Sequence, residues 1–358
     1  MTPAHGGDVD RVSRQFGVPA ETMLDFSANI NPLGLPARAM ERLARDARDE
    51  PLLMRYPDAD ASVLKDALTR RLGLPADSIV IGAGADSLIH ATVRAMAPRR
   101  CIIPVPAFSE YERASRAYGC AIHRIELTAD ALRVVRPGDL VILNNPHNPT
   151  GACASRAEML DRIATVRLAG AAVLADEAFI DYVPDASITA EAASTPGVIA
   201  VRSLTKFFGC PGLRVGYAVA APETACALAA QLSAWPVTTL ALNTLAEALG
   251  DDGYIRTSLE SNRRARAHLV DSIAKLGCRV FPPAANFIFF QIPDAFRASE
   301  VRERLIREYA ILVRDCDSFE GLERGRYLRI AVRLESENQR LAAALAAVFG
   351  QASCRQNT

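Results

Sequence analysis

Ser203-Leu204-Thr205-Lys206-Phe207-Phe208-Gly209-Cys210-Pro211-Gly212-Leu213-Arg214 joins two apolar runs, Val198-Ile199-Ala200-Val201 before it and Val215-Gly216-Tyr217-Ala218-Val219 after it. Runs this short, apolar throughout, read as strands buried on both faces. The lysine between them stands in an apolar loop. A partly desolvated amine has a lowered pKa and attacks an aldehyde more readily. Ser203, Thr205 and Arg214 add hydroxyls and a guanidinium suited to a phosphate. An isolated loop lysine is ordinarily a solvated surface residue. Here its neighbours give Lys206 a chemical role.

Outward from this segment the same pattern repeats. Ile79-Val80-Ile81, Cys101-Ile102-Ile103, Leu140-Val141-Ile142-Leu143 and Ala172-Val173-Leu174-Ala175 are further apolar runs, separated by stretches of helical spacing such as Ser155 to Leu168. Strands apolar on both faces and alternating with helices predict an α/β domain, a mostly parallel sheet covered by helices. Its expected extent is 36–245. After Ala221 the pattern changes to helices over Pro222 to Ser233 and Asp251 to Leu276, then strand-like Asn286 to Ile292 and Tyr327 to Val332. A last helix is expected from about Ser336, as N-cap, to Phe349. These parts predict a smaller α+β domain formed by 1–35 and 246–358. Asp25 to Pro36, rich in Asn and Pro, is too irregular for a helix and reads as an extended, site-lining loop.

Composition narrows the class of partner. The 358 residues hold 41 Lys plus Arg against 41 Asp plus Glu, so no basic field draws the chain to nucleic acid or to an acidic membrane. Half of the residues are apolar and 23% are charged, which is ordinary for a globular chain. The opening residues have no apolar signal core and no apolar run spans a bilayer. Eight cysteines are scattered without a CxxC pair, which argues against a metal site and a disulfide framework and for buried thiols. A cytoplasmic protein with small-molecule partners is expected.

Three more segments carry chemistry. Asp176-Glu177-Ala178-Phe179 follows one strand, Asn144-Asn145-Pro146-His147-Asn148-Pro149-Thr150-Gly151 follows another, and Gly82-Ala83-Gly84-Ala85-Asp86-Ser87 leads from a strand into a helix. The last geometry aims backbone N–H groups at an anion, and Gly84, Ala85 and Asp86 are its candidates. Together with the lysine segment, these motifs resemble the fold-type I pyridoxal-phosphate enzymes of the aminotransferase class I/II superfamily. The resemblance implies pyridoxal 5'-phosphate as cofactor, with Lys206 as the catalytic Schiff-base lysine. It implies that Asp176 pairs with the ring nitrogen, which lets the ring serve as an electron sink, and that Asn148 bonds the ring hydroxyl. Ser203, Thr205 and Arg214 would join the helix start around the phosphate. Phe108, in Pro106-Ala107-Phe108, would stack on the ring. Tyr56, in Arg55-Tyr56-Pro57, would reach the phosphate of the other chain in a homodimer. Arg329, in Tyr327-Leu328-Arg329-Ile330-Ala331, matches the arginine that grips a substrate α-carboxylate. One departure stands out: many members have Tyr at the position of Phe179, which cannot donate that hydrogen bond.

Two branches with phosphate-bearing substrates fit best, the histidinol-phosphate aminotransferases and the threonine-phosphate decarboxylases of cobalamin biosynthesis. His5-Gly6-Gly7, followed by Leu24-Asp25-Phe26-Ser27-Ala28-Asn29-Ile30-Asn31-Pro32-Leu33-Gly34, resembles the opening of the decarboxylases. That likeness implies contacts from His5, Gly6, Asn29, Asn148, Arg314 and Arg329 to O-phospho-L-threonine. The expected activity is then a lyase, giving (R)-1-amino-2-propanol O-2-phosphate and CO2. Transamination of histidinol phosphate with 2-oxoglutarate is the alternative. A non-catalytic pyridoxal-phosphate-binding protein is a third reading, against which the balanced charge and the intact lysine motif both weigh.

Overall fold

The computed structural model describes residues 6–128 and 130–355, with side chains as far as Gly350. Among the described residues the strands are, in chain order, β1 (Leu24–Asp25), β2 (Ile79–Gly82), β3 (Arg100–Val105), β4 (Ala121–Glu126), β5 (Leu140–Asn144), β6 (Ala172–Asp176), β7 (Val198–Ser203), β8 (Gly216–Ala220), β9 (Arg279–Val280), β10 (Phe287–Gln291), β11 (Ile311–Leu312), β12 (Arg314–Asp315) and β13 (Tyr327–Ala331).

The chain divides into two compact units. The large unit takes Leu33–Pro146 and Cys153–Arg256, and the small unit takes the residues up to Pro32, His147–Ala152 and those from Thr257 onward. The division differs from the expected breaks after 35 and 245, for local reasons. Tyr254 donates its hydroxyl to the Gly34 carbonyl, with the Phe207 carbonyl 3.4 Å away, and stacks on Phe208, which ties 246–256 to the large unit. The second half of the Asn/Pro turn goes instead to the small unit, where Ala284 N–H donates to the Gly151 carbonyl at 2.9 Å.

In the large unit seven strands lie in the order β2-β8-β7-β6-β5-β3-β4. All run parallel except β8, which is antiparallel to both of its neighbours. Side chains alternate across the sheet, as period two requires. Cys101, Ile103, Leu140, Ile142, Leu174, Ile199 and Val201 point to one buried layer with the helices Gly84–Met96 and Ser109–Ala117. Ile102, Val141, Leu143, Val173, Ala175, Val198 and Ala200 point to the other, with the helix Arg156–Leu168. Ser155 caps that helix in a reciprocal pair with Glu158. The strand that sequence reading missed is β4, at the sheet edge; its Ala-Ile-His-Arg-Ile-Glu pattern is half polar because one side meets water. The carboxyl ends of β5, β6 and β7 carry Asn144, Asp176 and Ser203, where parallel sheets bind their ligands.

In the small unit β12-β13-β10-β9 form an antiparallel sheet, and β1 pairs in parallel with β11. Phe26, Ile288, Phe290, Leu305, Leu328, Ile330, Leu341 and Leu345 fill its core. The final helix runs Glu335–Arg355, so Ser336 lies inside it and is not its cap. The N–H groups of Leu334 and Arg333 are taken instead by Glu337 Oε2 and Asn338 Oδ1, at 3.1 and 3.0 Å, which starts the helix earlier. Among the described residues no helix is long and apolar enough to cross a membrane.

Burial sets the expected response to truncation. Leu174→Ala removes a fully buried side chain from the central strand β6 and should cost about 2–5 kcal/mol, read from denaturant midpoints. Leu168→Ala, at a residue 90% exposed, should change stability by less than about 0.5 kcal/mol.

Candidate active site

Lys206 sits in a single turn, Leu204–Phe207, directly after β7. Ser203 and Thr205 flank it, both buried, with their hydroxyls 3.1 Å apart. Next to β7 in the sheet, β6 ends on Asp176, which is 4% exposed. Tyr111 donates its hydroxyl to Asp176 Oδ2 at 2.5 Å, and Ala178 N–H donates to Oδ1 at 2.9 Å. Burial raises the Asp176 carboxyl above the ordinary carboxylate range, while these two donors and the nearby Lys206 charge pull it back. The Asn144 side chain holds the Asp176 carbonyl at 2.9 Å. Phe108 meets Tyr111 edge to face, with centroids 5.7 Å apart.

The anion cradle is built from glycines. Gly84 opens the helix Gly84–Met96 at φ +83°, and a Cβ there would come within 2.9 Å of Arg214 Nη2. The guanidinium therefore lies against the backbone of the turn. Arg214 itself adopts φ 52°, a left-handed conformation uncommon for a bulky residue. Gly216 closes the other side: a Cβ on it would lie 2.7 Å from Ala85 N and 2.8 Å from the Gly84 carbonyl carbon. The Asp86 side chain turns towards His90, 3.9 Å away, and burial and the Glu110 charge raise its pKa. Only its backbone N–H is left for the assigned contact. Helix N–H groups, two hydroxyls and a guanidinium fit a phosphate. With a buried carboxylate for a ring nitrogen and an amine for an aldehyde, the donor set could hold pyridoxal phosphate. Tyr56 is 78% exposed and stacks on Trp235, with centroids 4.3 Å apart.

In the small unit β12 and β13 place Arg314 opposite Arg329 across their ladder, so both side chains leave the same face. Arg329 is buried, and donates from Nη1 to Asn148 Oδ1 at 2.5 Å and from Nη2 to the Ser27 carbonyl at 2.8 Å. Among the described residues its Nε has no hydrogen-bond partner. Burial lowers its pKa to about 10, which leaves it charged at neutral pH. Asn29 is likewise buried, and among the described residues its Oδ1 has no hydrogen-bond partner. Gly6 packs directly on the Ser27 backbone, where a Cβ would come within 2.0 Å of the carbonyl oxygen; this contact requires glycine. Gly7 N–H donates to Ser27 Oγ at 2.8 Å, and Ser27 leans on Asp25. His5 lies outside the described residues. Phe179 is buried at the start of a short turn.

Sequence reading missed Tyr111 and Ser27. Tyr111 stands three residues after Phe108, one helical turn on, and that spacing was the available signal. Ser27 acts through its backbone carbonyl, for which residue type carries no signal.

Tyr111→Phe keeps the ring and removes the donor, so the Asp176 pKa should move further up. Unfolding free energy at pH 7 should fall by about 1–3 kcal/mol. A carboxyl whose folded pKa is raised disfavours the fold as pH rises through it, so the deficit should shrink as the carboxyl is protonated at lower pH. Denaturant titrations of both proteins across the acid range measure this.

Comparison with known proteins agrees with this geometry. The family model of aminotransferase class I and II matches residues 21–345. Threonine-phosphate decarboxylase of Salmonella typhimurium is 34% identical over 96% of this chain and 95% of its own length. Histidinol-phosphate aminotransferase 1 of Cupriavidus pinatubonensis is 30% identical over 95% of this chain and 92% of its own. In fold, the crystal structure of histidinol-phosphate aminotransferase from Sinorhizobium meliloti in complex with pyridoxal-5'-phosphate superposes with a TM-score of 0.86 at 24% identity, covering 96% of this chain and 94% of that one. A strand-borne buried aspartate, a lysine turn and a glycine cradle at the carboxyl end of one mostly parallel sheet thus occur within a match of nearly full length, and the chain belongs to the class I and II aminotransferase family.

Proposed function

We propose that the protein is a pyridoxal-phosphate-dependent lyase that converts O-phospho-L-threonine to (R)-1-amino-2-propanol O-2-phosphate and CO2, in the making of cobalamin. The observation that carries this reading is the glycine contact at the N-terminus: Gly6 crosses the Ser27 backbone, whose carbonyl is a ligand of Arg329. The segment that resembles the decarboxylases is thereby tied to the arginine assigned to the substrate. The 34% identity to the Salmonella typhimurium threonine-phosphate decarboxylase supports the same reading. Transamination of histidinol phosphate stays as the second reading, because aminotransferases of that name match at 30–33% identity.

In this reading Arg214, Ser203, Thr205 and the N–H groups of Gly84, Ala85 and Asp86 hold the cofactor phosphate. Asp176, to which Tyr111 and the Ala178 N–H donate, would hold the ring nitrogen. Phe108 would stack on the ring and Asn148 would bond its hydroxyl. When bound, pyridoxal phosphate supplies an electron sink for the bond at the substrate Cα that stands perpendicular to its ring. The protein selects which bond that is. Arg329, braced by Ser27 and Asn148, fixes the anionic end of the substrate, with Arg314, Asn29, His5 and Gly6 about it. Remote binding energy can thereby enforce the torsion. The Lys206 amine holds the proton exchanged at Cα.

The enzyme is further proposed to act in the cytoplasm as a homodimer. Tyr56, Trp235, Leu53 and Met54 are large apolar or aromatic side chains that stand 44–80% exposed, a surface suited to burial against a second copy. Sedimentation at micromolar concentration should give a dimer, and a fully active monomer would contradict it. Purified protein loaded with pyridoxal phosphate should release CO2 from O-phospho-L-threonine without a keto acid, and Lys206→Ala should abolish the release. No release, together with turnover of histidinol phosphate and 2-oxoglutarate, would establish the aminotransferase instead.

A further inference from the structure

Strand β10 reads Phe-Ile-Phe-Phe-Gln, and its period-two alternation sends Ile288 and Phe290 into the core of the small unit. Phe287 and Phe289 leave the other face. The ladder sets Phe289 opposite Arg329, so Phe287, two residues earlier, is the diagonal neighbour of Arg329 on the same face. There its ring lies under the guanidinium, with Arg329 Cζ 5.7 Å from the ring centroid. Both residues are buried, Phe287 completely. The ring also backs the Asn/Pro turn: a Cβ on Gly151, which takes φ +78°, would stand 3.7 Å from Phe287 Cε2. One side chain thus supports Arg329 and the turn that carries Asn148, the acceptor of Arg329 Nη1.

Burial disfavours the Arg329 charge and Arg314 adds to that, while Cys316 and Asp25 act the other way. How the remaining cost is met decides what the guanidinium can still bind. Each acceptor placed at its edge takes up an N–H donor. The face of an aromatic ring attracts a cation within about 6 Å and takes up none, and the attraction grows where water is excluded. Arg329 gives one donor to Asn148 and one to the Ser27 carbonyl. With the ring on its face, the rest of the fork is left for a carboxylate. We infer that Phe287 is a positioning residue for the substrate: its ring supports the charge of Arg329 and fixes the plane of the guanidinium, and so governs affinity for the substrate carboxylate. The inference rests on the assignment of Arg329 to that carboxylate. The other role open to Phe287 is packing volume alone, and the two differ in whether the electrons of the ring matter.

Fluorinated phenylalanines at position 287 separate these roles, because fluorine withdraws electron density from the ring face and changes the ring's size little. In the cofactor-loaded enzyme, the dissociation constant of O-phospho-L-threonine, read from cofactor absorbance, should rise stepwise with each fluorine, by about tenfold in all. KM should rise with it, and kcat should change less. Phe287→Leu keeps an apolar side chain without a ring and should weaken binding by a similar factor; if that variant fails to fold, the fluorinated series decides. The same analogues at Phe296, whose ring meets Phe349 with centroids 4.8 Å apart, should leave binding unchanged. A dissociation constant that stays level along the series would overturn the inference, even where Phe287→Leu binds weakly, since packing alone accounts for that. L-glutamate, the amino donor of the aminotransferase reading, also carries an α-carboxylate and is titrated in parallel. A level series in an enzyme that binds either compound tells against the inference alone. A wild type that binds neither compound overturns the assignment of Arg329 and the inference together.

Discussion

A carboxylate at the end of a central strand, out of reach of water, needs donors around it, and the large unit is organised about that demand at Asp176. Tyr111 comes from a helix on one face of the sheet, Ala178 from the turn that follows, and the positive charge from the Lys206 turn after the adjacent strand. Each of these is held by the sheet register that sets β6 beside β7. The same burial that opposes ionisation makes the charge effective once it exists, because a low dielectric strengthens its interaction with a cation. Moving any one element would leave a buried charge without its partner, which is among the most costly defects a core can hold.

The small unit meets the opposite problem with buried positive charge. Arg329 is held from two sides, by a side-chain amide and a main-chain carbonyl, neither of which neutralises it. Arg314, its ladder partner, adds a charge of the same sign, on which the Asp315 carboxylate acts. Pairing Arg329 with neutral acceptors fixes its geometry and leaves its charge available.

Most of the large unit was legible because its apolar runs are continuous and its motifs are local. Six of the seven sheet strands follow from such runs, and the seventh, β4, escaped because edge strands mix polar with apolar residues. The lysine turn, the aspartate and the glycine turn are each short enough to read in one glance. Tyr111 and Ser27 were not legible in that way. Tyr111 differs from any core tyrosine only in what its hydroxyl reaches, and Ser27 is used through its carbonyl. The helix start at Glu335 escaped for a related reason, since side chains two and three positions inside the helix do the capping.

By itself, the sequence determined the α/β class, the identity of the lysine and the family to which they belong, because strands, turns and motifs are encoded by neighbours along the chain. Tertiary structure alone decided that Asp176 is surrounded by Tyr111 and Lys206, that Gly6 rests on Ser27, and that Arg329 lies over Phe287. Those pairs are separated by 21 to 65 positions, and the contacts exist only where packing and register bring the segments together. Charge burial is a property of that packing and not of any single stretch, which is why the chemistry of the site became readable only with the fold.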